Sequence, residues 1–347
     1  MTVSQPHRST LTDVAKLAGV HVGTASRALD PANENRVNAV TRERVRAAAD
    51  TLGYRVNAVA RGLRKGASGL LGVVVADVAN PFLPPLLRGI EEGVRAEGMS
   101  LLIAETHDEP GSLEGILDNL VSRRVDAIVV SAGRAADASV VRDFSAIVPV
   151  VLAVRSLGDG LVLPAVVHDD AMGAHLAVDH LHALGHRLVA ELPGPADISS
   201  FAGRTQGFRD AVRRNGMQDV SDRSAIAGVP TVDEGHRLAS ALLDGPVGRR
   251  PTAVFAHNDL MAVGCLEAMR ERGLDCPRDL SVVGYNDAPL SAHLRPALTT
   301  VRLPSRELGL HAAALALAVL EEGAPDGEPV LLPPELVVRD STAPVKH

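Results

Sequence analysis

The chain has no tryptophan, two tyrosines and five phenylalanines among its 347 residues. Aromatics make up 2% and apolar residues 46%, so its core must be aliphatic. Only two cysteines occur, Cys265 and Cys276. They fit neither a disulfide framework nor a CxxC metal site, and read as free thiols in a reducing compartment. No apolar run approaches the ~20 residues that a bilayer crossing needs. The opening MTVSQPHRST has no apolar signal-peptide core, so a soluble, cytoplasmic protein is expected. Catalytic signatures are missing too: there is no Walker loop, GxGxxG, GxSxG elbow or HExxH. His175, His180, His182 and His186 crowd one region, but LGH ends that helix and no cysteine stands near. The expectation is no metal, no cofactor and no enzymatic activity.

The charge that is present is unevenly spread. Residues 1–67 hold 11 Lys+Arg against 5 Asp+Glu, leaving 24 against 37 for the rest. A basic head on an acidic body suits a head that meets phosphates and a body that does not. The length suits two or three domains.

In the head, Leu11, Val14, Ala15 and Ala18 recur at helical spacing. Thr10 reads as the N-cap, with Asp13 three residues on as in a capping box. Gly19 ends this helix and permits a turn. A second helix is expected from about Val22 to Leu29, and a third with Thr41 as its N-cap. Two short helices joined by a glycine-containing turn make a helix-turn-helix, although a plain three-helix bundle has the same periodicity.

The residues themselves are more specific. Asp13 to Val20 read DVAKLAGV, Thr24 to Leu29 read TASRAL, and Thr41 to Tyr54 read TRERVRAAADTLGY. This pattern closely resembles the head of LacI-type bacterial transcriptional regulators. The resemblance implies that the second helix enters the major groove, with Val22 and Gly23 at its leading base-reading positions. Arg27 would make a bidentate guanine contact, and Thr10, Thr24 and Ser26 would position phosphates. His21 stands where relatives have Ser or Thr, so the recognition-helix cap must be made differently. The loop PANENRVNAV is about two residues longer than usual, and Arg36 offers an added backbone contact. The segment NAVARGLRKG matches the hinge that folds on operator DNA. There Asn57 would cap, Ala60 would pack closely, and Leu63 would wedge into the minor groove and kink the duplex.

From Leu70 to about Val338, apolar runs alternate with helical stretches. LGVVVA, SLLIAE, DAIVVS and PVVLAV form one set; RLVAEL, PTAVFA and LSVVGY form another. Continuous apolar runs read as buried parallel strands. The fold class is therefore α/β: an all-α helix-turn-helix head, then two doubly wound parallel-sheet subdomains of periplasmic-binding-protein type. The expected division is a head over 1–56, a hinge over 57–67 and a core over 68–347. Within the core, the first subdomain takes 68–166 plus 298–330, and the second takes 167–297 plus 331–347.

The resemblance extends over almost the whole chain, through AGRTQGF, PTAVFAHNDLMAVG and LSVVGYNDAPL among others. It implies an effector cleft between the subdomains. Phe82 would form an apolar wall, Arg204 would grip hydroxyls or a carboxylate, and Asn258 and Asn286 would bind hydroxyls. Asp169 lies at a crossing and is a weaker candidate. Val154 and Asn286 replace carboxylates usual in the family, which opens room for an acidic or phosphorylated effector. The implied protein is a homodimeric repressor on a near-palindromic double-stranded operator, controlled by a sugar or related metabolite. A solute-binding protein and a doubly wound enzyme are the rivals. The first would lack the basic head, and the second would need a catalytic set.

Overall fold

The structure, a computed structural model, describes residues 9–30, 36–54, 67–158, 161–246, 248, 250–323 and 328–345. It divides into two compact units, Met1–Ser68 and Gly69–His347.

Among its described residues the first unit holds three helices: α1 (Leu11–Leu17), α2 (Val22–Ala28) and α3 (Ala39–Thr51). Its core is small and aliphatic: Val14, Ala15, Ala18, Ala25, Ala28, Val37, Val45, Ala48 and Ala49. Alanines at the contacts let short helices approach closely, which suits a unit too small to bury large side chains. The Thr10–Asp13 capping box forms as expected, and Gly19 takes φ +62° in the turn. The third helix begins earlier than expected. Its N-cap is Asn38, whose Oδ1 accepts the Thr41 N–H at 2.8 Å, so Thr41 lies inside the first turn. Asparagine is a stronger cap than threonine and captures the orphan amide first.

The second unit contains two six-stranded sheets. The first lobe comprises β1 (Leu70–Val75), α4 (Leu83–Arg95), β2 (Ser100–Glu105), α5 (Leu113–Ser122), β3 (Ala127–Val130), α6 (Ala138–Ser145), β4 (Val150–Ala153) and β5 (Ala165–His168). The second comprises α7 (Asp170–Ala183), β6 (Leu188–Leu192), α8 (Ser199–Arg214), β7 (Gln218–Asp219), α9 (Val232–Leu243), β8 (Ala253–Ala256), α10 (Asp259–Glu271), β9 (Ser281–Asn286) and β10 (Thr299–Arg302). The chain then returns through α11 (Ser305–Glu322) and β11 (Val330–Leu332) to the first lobe, and ends on β12 (Glu335–Val337) in the second. The sheet orders are β11-β5-β4-β3-β1-β2 and β12-β10-β9-β8-β6-β7. Among the described residues all pairings are parallel except β10 with β12.

Alternation along each strand feeds two cores per lobe. In the first lobe, Val73 and Val75 join Leu86, Ile90, Leu308 and Ala312 on one face, while Val74 joins Leu113, Leu117 and Val141 on the other. The second lobe repeats this with α7 and α8 on one face and α9 and α10 on the other. Helices α4 and α11 touch backbone to backbone, and a Cβ at Gly89 would collide with the Arg306 carbonyl oxygen.

The crossings fall at different residues than expected. Strand β10 pairs with β9, so residues 299–302 belong to the second lobe rather than the first. Residues 331–332 pair with residues 167–168 of β5, so both pairs belong to the first lobe rather than the second. The TTVR segment gives no sign of which sheet it will join, because both sheets accept a parallel strand at that point. Among the described residues, no helix is long and apolar enough to cross a membrane.

Candidate functional site

The head presents α2 by a short, unusual route. His21 is its N-cap, and the imidazole Nδ1 accepts the Gly23 N–H at 3.1 Å. Val22 follows, 37% exposed. Arg27 is exposed, and its Nε donates to the Gly23 carbonyl at 3.1 Å. That bond engages one edge of the guanidinium and leaves the two terminal amino groups pointing along a planar fork. Thr24 and Ser26 are half-buried on the same helix. The Thr10 hydroxyl takes part in the cap of α1, donating to Asp13 at 2.7 Å. Arg36 is exposed ahead of α3. Asn57, Ala60 and Leu63 lie outside the described residues.

The second unit has a cavity of about 200 Å³ between its lobes, at the carboxyl ends of the strands. Phe82, Val154 and Arg155 line it from the first lobe, and Phe201, Arg204, Asn258 and Asn286 from the second. Four of the five expected residues are thus brought together. Asp169 is not among them. Its Oδ1 accepts the Met172 N–H at 2.8 Å and caps α7. The neighbouring Asp170 engages the cleft arginine instead.

Arg204 is 4% exposed. Its Nε donates to Asp170 Oδ1 at 2.9 Å and its Nη1 to the His257 carbonyl at 2.5 Å. The guanidinium lies 3.9 Å from the Tyr285 ring centroid and 4.9 Å from that of Phe201. Burial pushes the Asp170 carboxyl up, against the pull of Arg204. His257 accepts the Gly194 N–H on Nδ1 at 3.2 Å, so its Nε2 carries the proton that meets Glu191 at 3.0 Å. Burial pushes this ring down and keeps it neutral. Asn258 is 2% exposed; it caps α10 through the Met261 N–H at 2.7 Å and donates to the Pro230 carbonyl at 2.8 Å. Its side chain therefore acts first on the cavity wall. Phe82 meets His168 edge to face, 5.9 Å between centroids, and burial takes that imidazole down to about 3.

The first lobe supplies a second buried pair. Arg155 donates to both oxygens of Asp108, at 2.8 and 3.4 Å. Arg134 donates at 2.9 Å to the Asp108 carbonyl and at 2.7–2.8 Å to Asp197 of the opposite lobe. The Ala135 N–H reaches the Asp197 carbonyl at 3.0 Å, and the Ser156 N–H reaches Ser199 Oγ at 2.8 Å. These bonds hold the lobes together along one rim. Both arginines of the lining are neutralised in place by carboxylates. The replacement of usual carboxylates at Val154 and Asn286 therefore leaves no surplus positive charge on the wall, and the case for an acidic effector loses its physical basis.

Sequence reasoning passed over Phe201, Asp108, Arg155 and Arg134. Phe201 precedes Arg204 by three on one helix face, so helical periodicity could have named it. Asp108 and Arg155 are 47 residues apart and have no local signal. The crowded histidines pack elsewhere: His180 meets Thr342 at 2.9 Å, and His186 meets Thr252 at 2.9 Å and the Ala343 carbonyl at 3.1 Å.

Comparison with known proteins agrees with this architecture. Residues 10–57 match the family described as bacterial regulatory proteins, lacI family, and residues 178–342 match a periplasmic binding protein-like domain. The HTH-type transcriptional repressor CytR of Escherichia coli (strain K12) is 31% identical, over 97% of both chains. The HTH-type transcriptional regulator GalR of the same strain is 34% identical, over 90% of both. Among solved structures, the lac repressor dimer bound to operator and the anti-inducer ONPF superposes with a TM-score of 0.85 at 30% identity, covering 97% of this chain and 99% of that one. With relatives above 30% identity over nine-tenths of its length, the chain belongs to the LacI family of bacterial regulatory proteins.

Proposed function

We propose that the chain is a cytoplasmic, ligand-responsive transcriptional repressor that binds a near-palindromic operator as a homodimer. One observation carries this reading: the same chain joins a helix-turn-helix with an exposed Arg27 to a two-lobed body with a cavity at its strand ends. The lac repressor structure that it resembles is itself a dimer on operator. Arg27 reads guanine; Val22 and Gly23 lead the helix; Thr10, Thr24 and Ser26 position phosphates; and Asn57, Ala60 and Leu63 form the hinge. In the body, Phe82, Arg204, Asn258 and Asn286 shape the effector site, with Asp169 in support as a helix cap.

The effector is a neutral, polyhydroxylated molecule with one apolar face, such as a sugar or a related metabolite. Charge-neutral wall pairs and the Phe82 and Phe201 rings support that choice. Effector binding alters the fit between the lobes and so the operator affinity, typically by about 1–3 kcal/mol for such coupling.

The test has two stages. Purified full-length chain is first used to enrich duplexes from a random pool, where a two-fold symmetric consensus is expected. Thermal shifts are then measured with neutral sugars, nucleosides and phosphorylated sugars. Absence of any enriched duplex overturns the regulator reading. A phosphorylated sugar that stabilises more than its neutral parent overturns the effector class.

A further inference from the structure

Three residues of the cavity wall converge on one residue behind it. His257 stands between β8 and α10 and is fully buried. Its carbonyl accepts Arg204 Nη1 at 2.5 Å. Its ring lies parallel to that of Phe201, with 6.2 Å between centroids. The next residue is Asn258, the cap of α10. Phe201, Arg204 and Asn258 all line the cavity.

The imidazole is fixed from two sides. Its Nδ1 accepts the Gly194 N–H at 3.2 Å, and its Nε2–H donates to Glu191 Oε2 at 3.0 Å. Gly194 also presses on the cavity wall, since a Cβ there would collide with the Phe201 ring. Phe201 is thus wedged between a glycine backbone and the imidazole. If the imidazole turned, Phe201 would lose one side of this packing. The backbone that carries the Arg204 acceptor and Asn258 would shift with it.

Glu191 is a costly residue for its place. It is the one charged side chain of β6, set among Leu188, Val189, Ala190 and Leu192, and is 2% exposed. A buried carboxylate loses hydration that an ion pair seldom returns in full, and an apolar residue of similar volume is often as stable. Its cation stands off: Arg209 Nη2 lies 3.5 Å from Oε1, on a side chain 41% exposed. The bond to His257 is the shorter of the two. A carboxylate accepts and does not donate, so it selects the tautomer with the proton on Nε2.

We infer that Glu191 is a positioning residue of the effector site: it orients His257, and His257 holds Phe201, Arg204 and Asn258 against the cavity. Contact residues keep a binding geometry only when a supporting layer locks their rotamers. The inference rests on the proposed effector site.

The experiment uses the full-length chain with D-ribose, D-glucose and cellobiose, neutral sugars of three sizes. The one that raises the wild-type Tm most serves as probe. Glu191→Leu should weaken its binding about tenfold, the scale of one hydrogen bond to a charged group. Glu191→Gln keeps an acceptor for Nε2–H and should recover most of that loss. A folded Glu191→Leu that binds within about twofold of wild type leaves Glu191 a structural role only and overturns the inference. Should Glu191→Leu fail to fold, Glu191→Asp takes its place. It keeps the charge but sets the carboxylate back by one methylene, and should bind more weakly than Glu191→Gln. The reverse order would make charge, not orientation, the cause, and would also overturn the inference.

A second readout needs no sugar. The chain has no tryptophan and two tyrosines, so Tyr54→Phe leaves Tyr285 as the single reporter of the Arg204 guanidinium, 3.9 Å from its ring centroid. Its near-ultraviolet circular dichroism band should change in Glu191→Leu and return in Glu191→Gln. If none of the three sugars shifts the wild-type transition, the sugar reading of the effector loses its support. The Tyr285 band then decides this inference alone, and a band unchanged in folded Glu191→Leu overturns it.

Discussion

The two lobes of the body face one cavity with different materials. The second lobe presents a buried wall. Arg204 sits between the Phe201 and Tyr285 rings, and Phe255 lies 5.3 Å from His257 and 6.0 Å from Tyr285. The first lobe presents strand-end loops. His107, Asp108 and Val154 all have positive φ, at 55°, 53° and 67°; in the second lobe Asn286 and Asp287, at the end of β9, share this, at 109° and 54°. Rings packed on a paired charge resist rearrangement, because moving one strands the others. Loops that carry backbone strain have energy to release when a ligand arrives. A shared fold thus supplies a ring-packed floor on one side and a rim on the other, where three of the four positive-φ residues that line the cavity lie in loops of the first lobe.

The largest expected effect tests the floor. Arg204→Met leaves Asp170 buried without its cation and should cost about 3–5 kcal/mol of unfolding free energy. Arg155→Met strands Asp108 in the same way but loses no ring stacking, so its cost should be smaller by about 1–2 kcal/mol. Denaturant titration of both variants decides the matter. Equal losses would break the distinction between the lobes.

A pH series comes next. Burial holds His168 at about 3, against an ordinary value of 6.5, and holds His257 low as well. Below pH 6.5 the unfolded chain therefore binds protons that the folded chain refuses. The stability from His168 is complete above pH 6.5 and is lost as pH falls towards 3. Each such histidine contributes a slope of up to about 1.4 kcal/mol per pH unit. Asp259 acts in the opposite sense. Burial raises its carboxyl from 3.8 to about 6, so acidification between those values favours the fold. His168→Gln should flatten the loss of Tm between pH 6.5 and 4, and Asp259→Asn should steepen it. An unchanged slope in His168→Gln would remove the buried imidazole as a cause.

These groups also mark where sequence reasoning succeeds and stops. Strands β1, β3, β4, β6, β8 and β9 were legible because both faces are buried and the runs are continuously apolar, and the half-exposed edge strand β2 was legible from its apolar run alone. Strand β5, AVVH, has only three apolar residues before its histidine and the two aspartates that follow, too short an apolar run to register. The head was legible from caps and spacing, except that Asn38 outcompeted Thr41 at α3. Phe82, Arg204, Asn258 and Asn286 were reached through the family pattern, and they do meet at one cavity. The ion pairs were not, since Arg134 finds Asp197 across 63 residues and no local rule couples them. Asp169, the weaker candidate at the crossing, caps α7 while its neighbour Asp170 meets Arg204, because adjacent carboxylates at a helix start look alike until the turn decides which one points inward.

The smallest expected effect tests the rim. Val154 combines a β-branched side chain with φ 67°, a conformation that valine rarely adopts, at the edge of the cavity. Its backbone is held there: its N–H donates to the Val166 carbonyl at 3.0 Å, and the next N–H, of Arg155, donates to the Ala153 carbonyl at 2.7 Å. Such strain costs about 1–3 kcal/mol. Glycine removes it but adds about 0.5–1 kcal/mol of chain entropy to the unfolded state. Val154→Gly should therefore stabilise the protein by about 1 kcal/mol, a rise of about 2–4 °C in Tm. The same variant asks whether the strain serves binding. If ligand arrival releases it, the effector-induced thermal shift should shrink by what the free protein has gained. A stabilised variant with an undiminished shift would make the strain a by-product of chain reversal after β4. A destabilised one would mean that Val154 packing against the aliphatic core outweighs its backbone, and that the rim is as rigid as the floor.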